Sequence, residues 1–117
     1  MMDLANRAFT AQYDGTEIKG TVRRASGAER AAFLAEEQAI EGKPANQAAE
    51  RRTLRNMELC GALVDLPGTT IGGVSLPSDD RAEWIDMLPD EVVTAAIFAR
   101  LGLNRDLGNS PPTPAES

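Results

Sequence analysis

Apolar and polar positions alternate almost from the start of the chain. Phe9, Ala11 and Tyr13 are separated by polar or small neighbours, Asp14-Gly15 suits the two positive φ values of a type I′ turn, and Ile18, Gly20 and Val22 resume the alternation. This pattern predicts a β-hairpin over residues 7–22. A two-residue turn also sets its register: Tyr13 opposite Thr16, Ala11 opposite Ile18 and Phe9 opposite Gly20, which gathers the apolar members of both strands on one face.

Helical spacing takes over next. Ser26-Gly27-Ala28-Glu29 has the capping-box spacing, so a helix over about 27–41 is predicted, with Phe33, Leu34 and Ile40 on its apolar side. Gly42, in a left-handed cap, and Pro44 should end it. A second helix over about 46–66 carries Leu54, Met57, Gly61 and Val64 on one stripe and Leu59, Leu63 and Leu66 on another. That breadth predicts a central helix buried against more than one element. Pro67-Gly68 stops it, and Thr69 to Pro77 reads as a loop with a short extended piece.

Ser78 is positioned to cap a helix over about 79–88 that carries Ala82, Trp84, Ile85 and Leu88. Pro89 then suits the first turn of a last helix, 89–101, with Asp90 and Glu91 at its positive end. Val92, Val93, Ala96, Ile97 and Leu101 should face inward, and Gly102 should end this helix. The predicted architecture is α+β and mostly helical: residues 1–103 form one domain, an N-terminal hairpin followed by a bundle of about four helices. Residues 104–117, with Ser110-Pro111-Pro112-Thr113-Pro114, read as a disordered tail.

Composition narrows the functional classes. In 117 residues, 12 basic side chains against 18 acidic ones give a net charge of −6, which disfavours nucleic acid and anionic membrane surfaces as partners. Arg23-Arg24 and Arg51-Arg52 are the densest basic groups, and they read as solvated faces rather than a nucleic-acid footprint. Only 4% of the residues are aromatic, so the core should rest on Leu, Val, Ile and a few rings. No apolar segment reaches the roughly 18 residues needed to span a bilayer, and the N-terminal stretch lacks a secretory h-region; the expected location is the cytoplasm.

Candidate chemistry is sparse. The absence of histidine, together with a single cysteine, removes the usual zinc sites, Cys/His pairs and Ser-His-Asp triads, so no catalytic residue, metal or cofactor is expected. Cys60, in the run Leu59 to Val64, fits buried packing in a reducing compartment. The Gly-rich stretch from Leu66 to Gly73 lacks the lysine of a phosphate-binding loop. Arg23-Arg24-Ala25-Ser26 matches a basic-residue kinase pattern, but Ser26 is accounted for as a cap. Trp84, among apolar neighbours, reads as core.

The carboxylates Asp79, Asp80, Glu83, Asp86, Asp90 and Glu91 are ordinary helix-dipole partners, and beyond that they form an acidic face that can steer a basic segment of a protein partner. They are the partner-binding candidates. The weaker enzymatic reading makes them the acid/base or hard-metal site of a small hydrolase or transferase. The hairpin's outer edges, short and unpaired, predict self-association.

The order of these pieces resembles the lambda-type tail assembly chaperones of long-tailed bacteriophages. The resemblance is carried by the Asp-Gly hairpin, the capped helix with Ala28-Glu29-Arg30-Ala31-Ala32-Phe33-Leu34, the central apolar helix, Trp84 to Val93 with its Leu88-Pro89-Asp90-Glu91 element, a terminal helix ending at Leu101-Gly102, and the Pro-rich tail. It implies a non-enzymatic protein that coats the tape measure protein in the bacterial host cytoplasm, helps recruit tail tube protein, and is also made in a frameshifted, extended form. The family supplies no catalytic residues and no strict binding motif to transfer. The alternative is a structural virion component such as a head-tail connector or tail-terminator subunit.

Overall fold

Asp14 and Gly15 take φ values of 53° and 76°, so the chain reverses in two residues as their side chains permit. In this computed structural model, which describes residues 4–43 and 45–103, the flanking strands are β1 (Asn6–Tyr13) and β2 (Thr16–Arg23). Their register is the one the turn dictates: Tyr13 faces Thr16, Ala11 faces Ile18 and Phe9 faces Gly20. Phe9, Ala11, Gly20 and Val22 are buried on the inner face, and Ile18 is half-buried. Gly20 is required there, since a Cβ at that position would lie 2.5 Å from the tip of the Phe9 ring and 2.8 Å from Leu66 Cδ2. Tyr13, beside the turn, stays 45% exposed.

Helix α1 (Gly27–Glu41) opens on the expected capping box. Ser26 Oγ accepts from the Glu29 amide at 3.1 Å, and the Ser26 amide donates to Glu29 Oε1 at 2.9 Å. Phe33 and Ile40 are buried, whereas Leu34 is half-buried. Gly42 ends the helix with a right-handed φ of −72°, not the left-handed cap expected of it, because the chain runs on into a right-handed turn in which the Lys43 amide donates to the Ile40 carbonyl at 2.9 Å. Pro44, the other expected stop, lies outside the described residues.

The central helix α2 (Gln47–Ala62) is shorter than its apolar pattern predicts. Leu63–Asp65 leaves the helix as strand β3 and pairs antiparallel with β2, giving a sheet of order β1-β2-β3 with a bulge at Thr21/Val22. The open edge of β2 accounts for the change, since it offers Leu63 and Asp65 ladder partners that no further helical turn would supply. Leu59, Leu63 and Leu66 are buried as expected, but of the other stripe only Leu54 packs against the core, half-buried: Met57 is 69% and Val64 39% exposed, and Gly61 is exposed.

Pro67-Gly68 forms a turn closed by the Thr69 amide on the Leu66 carbonyl at 3.2 Å, with Gly68 at φ 74°. The expected loop then contains a second small hairpin, β4 (Thr70–Ile71) with β5 (Val74–Ser75), turned by Gly72 and Gly73 at φ 58° and 86°.

Helix α3 (Arg81–Asp86) begins later than the predicted position 79. Asp80 is at its N-cap without a side-chain cap bond, and Ser78, the expected cap, uses its carbonyl to accept from Trp84 Nε1 at 3.0 Å. Trp84 and Ile85 are core residues. Helix α4 (Asp90–Leu101) follows Pro89 and buries Val92, Val93, Ala96, Ile97 and Leu101 as its spacing predicts; Gly102 closes it in the left-handed conformation at φ 71°.

The fold is therefore α+β, with antiparallel strands at the N-terminus and, among the described residues, four helices. The helices do not make a self-contained bundle: α4 packs chiefly on β1 and β2 and also touches α2, so sheet and helices share one core. Among the described residues no helix is long and apolar enough to cross a membrane. The predicted tail, 104–117, lies outside the described residues.

Candidate functional site

Helices α2 and α3 lie side by side, and the seam between them is an open groove of about 560 Å³. Thr53, Asn56, Met57 and Cys60 line it from α2, where i, i+3, i+4 and i+7 spacing puts them on one face. Asp80, Ala82, Glu83, Asp86 and Met87 line the other wall. Met57 and Met87 are 69% and 61% exposed, so two long, flexible apolar side chains meet water in the same groove. Cys60, expected to be buried, is half-buried and packs against the core from this groove.

The rim carries one sign of charge. Asp80, Glu83 and Asp86 stand along the α3 wall, and no arginine or lysine is among the lining residues. The nearby cations are directed elsewhere: Arg81 Nη1 donates to the Leu63 carbonyl, and Arg52 points its guanidinium to the α3–α4 junction. Asp86 Oδ1 accepts from Asn56 Nδ2 at 3.0 Å, a cross-link that holds the two walls together and fixes the carboxylate's position.

The six carboxylates of the predicted acidic face do not stay together. Asp80, Glu83 and Asp86 line the α2–α3 groove. Asp79 precedes α3 as an exposed residue, so it does not share a helical face with Glu83 and Asp86. Asp90 and Glu91, at the start of α4, belong to a different groove of about 610 Å³ that runs along β1 beside Thr10, Ala11 and Gln12. Asp90 is in addition ion-paired with Arg52.

Two arginines are structural: Arg52, expected to be solvated, and Arg100. Arg52 places Nη2 at 3.2, 3.1 and 2.7 Å from the carbonyls of Ile85, Asp86 and Leu88 and Nη1 on Asp90, clamping the end of α3 to the start of α4. This sets the α3 wall against α2. Arg100 is 3% exposed; it bonds Glu58 at 2.9 Å and the Arg23 carbonyl at 2.8 Å, and lies 3.6 Å from Glu29. The Glu29 carboxyl is held below its ordinary pKa by the Ser26 amide first and by the charge of Arg100 second.

Sequence reasoning selected the α3 carboxylates but missed Met57 and Met87, the apolar half of the groove. For Met57 the available signal was the excessive width of the α2 apolar surface, which one packed helix could not bury. Chemically the arrangement offers adaptable apolar contact beneath an acidic rim. Comparison of the chain with protein-family models, with curated proteins and with solved structures finds no match.

Proposed function

We propose that the chain is a non-enzymatic tail assembly chaperone that holds basic, amphipathic helical segments of a phage tape measure protein in the α2–α3 groove. The observation that carries this reading is the pairing of exposed Met57 and Met87 with the Asp80, Glu83 and Asp86 rim in one groove. An amphipathic helix lays its apolar stripe on such a floor, and basic residues flanking that stripe meet the carboxylates. Methionine suits the task because its unbranched thioether repacks around unlike apolar side chains, as a chaperone that meets many different turns of one long helix requires. The order of elements noted in the sequence supplies the phage assignment, and a cytoplasmic site of action goes with it.

Co-expression of the tagged chain with a phage tape measure protein tests the proposal. The tape measure protein should copurify in soluble form with the unaltered chain and be lost, or precipitate, with Met57→Lys/Met87→Lys. Copurification that is indifferent to that double substitution would remove the groove from the mechanism, and no copurification at all would remove the chaperone reading.

A further inference from the structure

The hydrogen-bond phase of the hairpin identifies an open edge. The Arg24 amide donates to the Ala5 carbonyl at 2.8 Å, so Ala5 and Arg24 form a hydrogen-bonded pair one residue beyond the Asn6–Arg23 end of the ladder. Pairs alternate in type, so Arg7, Phe9, Ala11 and Tyr13 turn their main-chain groups toward β2, whereas Ala8, Thr10 and Gln12 turn theirs away from it. β2 is paired on its other side by β3 at Thr21 and Val22. Among the described residues the outer edge of β1 has no strand partner along its whole length, and the part of the β2 edge that β3 leaves uncovered carries Glu17 and Lys19.

This edge lacks most of the usual protections against strand addition, Arg7 being the one charge on β1. β1 is eight residues long, contains no lysine and no proline, and pairs with β2 without a bulge. We propose that it pairs antiparallel with β1 of a second copy, about a two-fold axis through Thr10. That register sets Ala8 against Gln12 and Thr10 against its own counterpart, uses the outward main-chain groups of all three, and places no like charges opposite each other.

The side chains are also self-complementary. On the inner face Arg7 comes opposite Tyr13 of the second copy, at the end of β1 where Gln12 and Glu91 line the adjoining groove. Arg7 itself stands by the other end of α4, its guanidinium within 3.7 Å of where a Gly102 side chain would begin. Each copy therefore brings one cation to the other copy's Glu91, twice across the axis. This interface is separate from the α2–α3 groove and does not depend on what that groove binds.

Sedimentation equilibrium of the full chain through the micromolar range, combined with cysteine cross-linking in a Cys60→Ala background, tests the pairing. Thr10→Cys should form an intermolecular disulfide, since directly opposed hydrogen-bonded residues lie roughly 5.5 Å apart at Cα, within disulfide reach. Ala8→Cys and Gln12→Cys should each form no intermolecular disulfide alone and cross-link when mixed. Thr10→Glu faces Lys19 on its own hairpin, so it should keep the fold while opposing its counterpart across the axis and weakening dimerisation at least about tenfold. A monomeric full chain with no Thr10→Cys cross-link overturns the proposal. So does a chain truncated after Leu103 that dimerises when the full chain does not, because residues 104–117 would then occupy the edge.

Discussion

Arg100 and Glu58 meet in the interior: Nε and Nη2 of the guanidinium both reach Glu58 Oε2 at 2.9 Å, joining α4 to α2. The arginine is 3% exposed and also donates to the Arg23 carbonyl at the end of β2, so one side chain ties two helices to the sheet. Arg100→Ala leaves a part-buried carboxylate and a strand carbonyl without their donor and should cost about 3–5 kcal/mol of unfolding free energy. Arg100→Met/Glu58→Leu, which removes both charges and keeps the volume, should recover most of that loss. Urea denaturation of the three proteins reads the difference; a double variant no more stable than Arg100→Ala would contradict the account.

Arg52 acts at a junction rather than in the core. Its Nη2 serves the carbonyls of Ile85, Asp86 and Leu88 while Nη1 holds Asp90, so several acceptors at the α3–α4 turn depend on one fork. Arg52→Ala should destabilise by about 2–4 kcal/mol, and Arg52→Lys should restore less than half, because an ammonium cannot reproduce the planar geometry. Amide hydrogen exchange should accelerate at Met87 to Val93 more than in the hairpin. Uniform acceleration across the chain would contradict a local clamp.

The buried glycine of β2 gives a steric prediction. A Cβ at Gly20 would meet Phe9 Cζ at 2.5 Å and Leu66 Cδ2 at 2.8 Å, both buried side chains with little room to yield. Gly20→Ala should therefore destabilise by about 1–3 kcal/mol despite alanine's smaller backbone entropy cost. Phe9→Leu in the same chain should return part of that cost by withdrawing the ring tip, a pattern thermal unfolding of the single and double variants will resolve.

What was readable in the chain was local. The Asp14-Gly15 turn determines a register within a few residues, and Ser26 with Glu29 marks a helix start through contacts three positions apart. The α4 face follows from spacing alone. Leu63 to Asp65 was not readable, because its apolar spacing suits either a helix or a strand and a distant edge, that of β2, decides between them. The second hairpin had a signal in Gly72-Gly73 between Thr70-Ile71 and Val74-Ser75, masked by the shortness of its strands. Arg100 also had one: it sits on the inward stripe with Val93, Ala96 and Ile97, where a charge needs a buried partner. For the groove, Asp80, Glu83 and Asp86 come together out of the six carboxylates, but the grouping of Met57 with Met87 depends on how α3 docks, and nothing near either residue encodes that.

Glu29 gives the pH dependence a direction. Its folded pKa lies below the ordinary carboxylate value, through the Ser26 amide and then Arg100, so its stabilisation is fully present above the unfolded pKa and is lost as pH falls through the folded one. Glu29→Gln should lower the melting temperature at neutral pH, and the gap from the unaltered chain should close on acidification through the carboxylate range. A gap that is constant with pH would assign the effect to the hydrogen bond's geometry instead of its charge.

Apolar floor and acidic rim should separate kinetically in the α2–α3 groove. Exposed charges act on a partner at long range, so Asp80→Asn/Glu83→Gln should slow association with a basic amphipathic peptide and flatten its salt dependence, leaving dissociation nearly unchanged. Met57 and Met87 touch the partner only after docking, so Met57→Ala/Met87→Ala should speed dissociation with little effect on association. Because both methionines are mostly exposed, that variant should keep the thermal stability of the unaltered chain. Surface plasmon resonance at two salt concentrations distinguishes the arms. If the carboxylate variant changed only dissociation, the rim would be making direct, desolvated pairs, and the steering argument would fail while the groove remained the binding site.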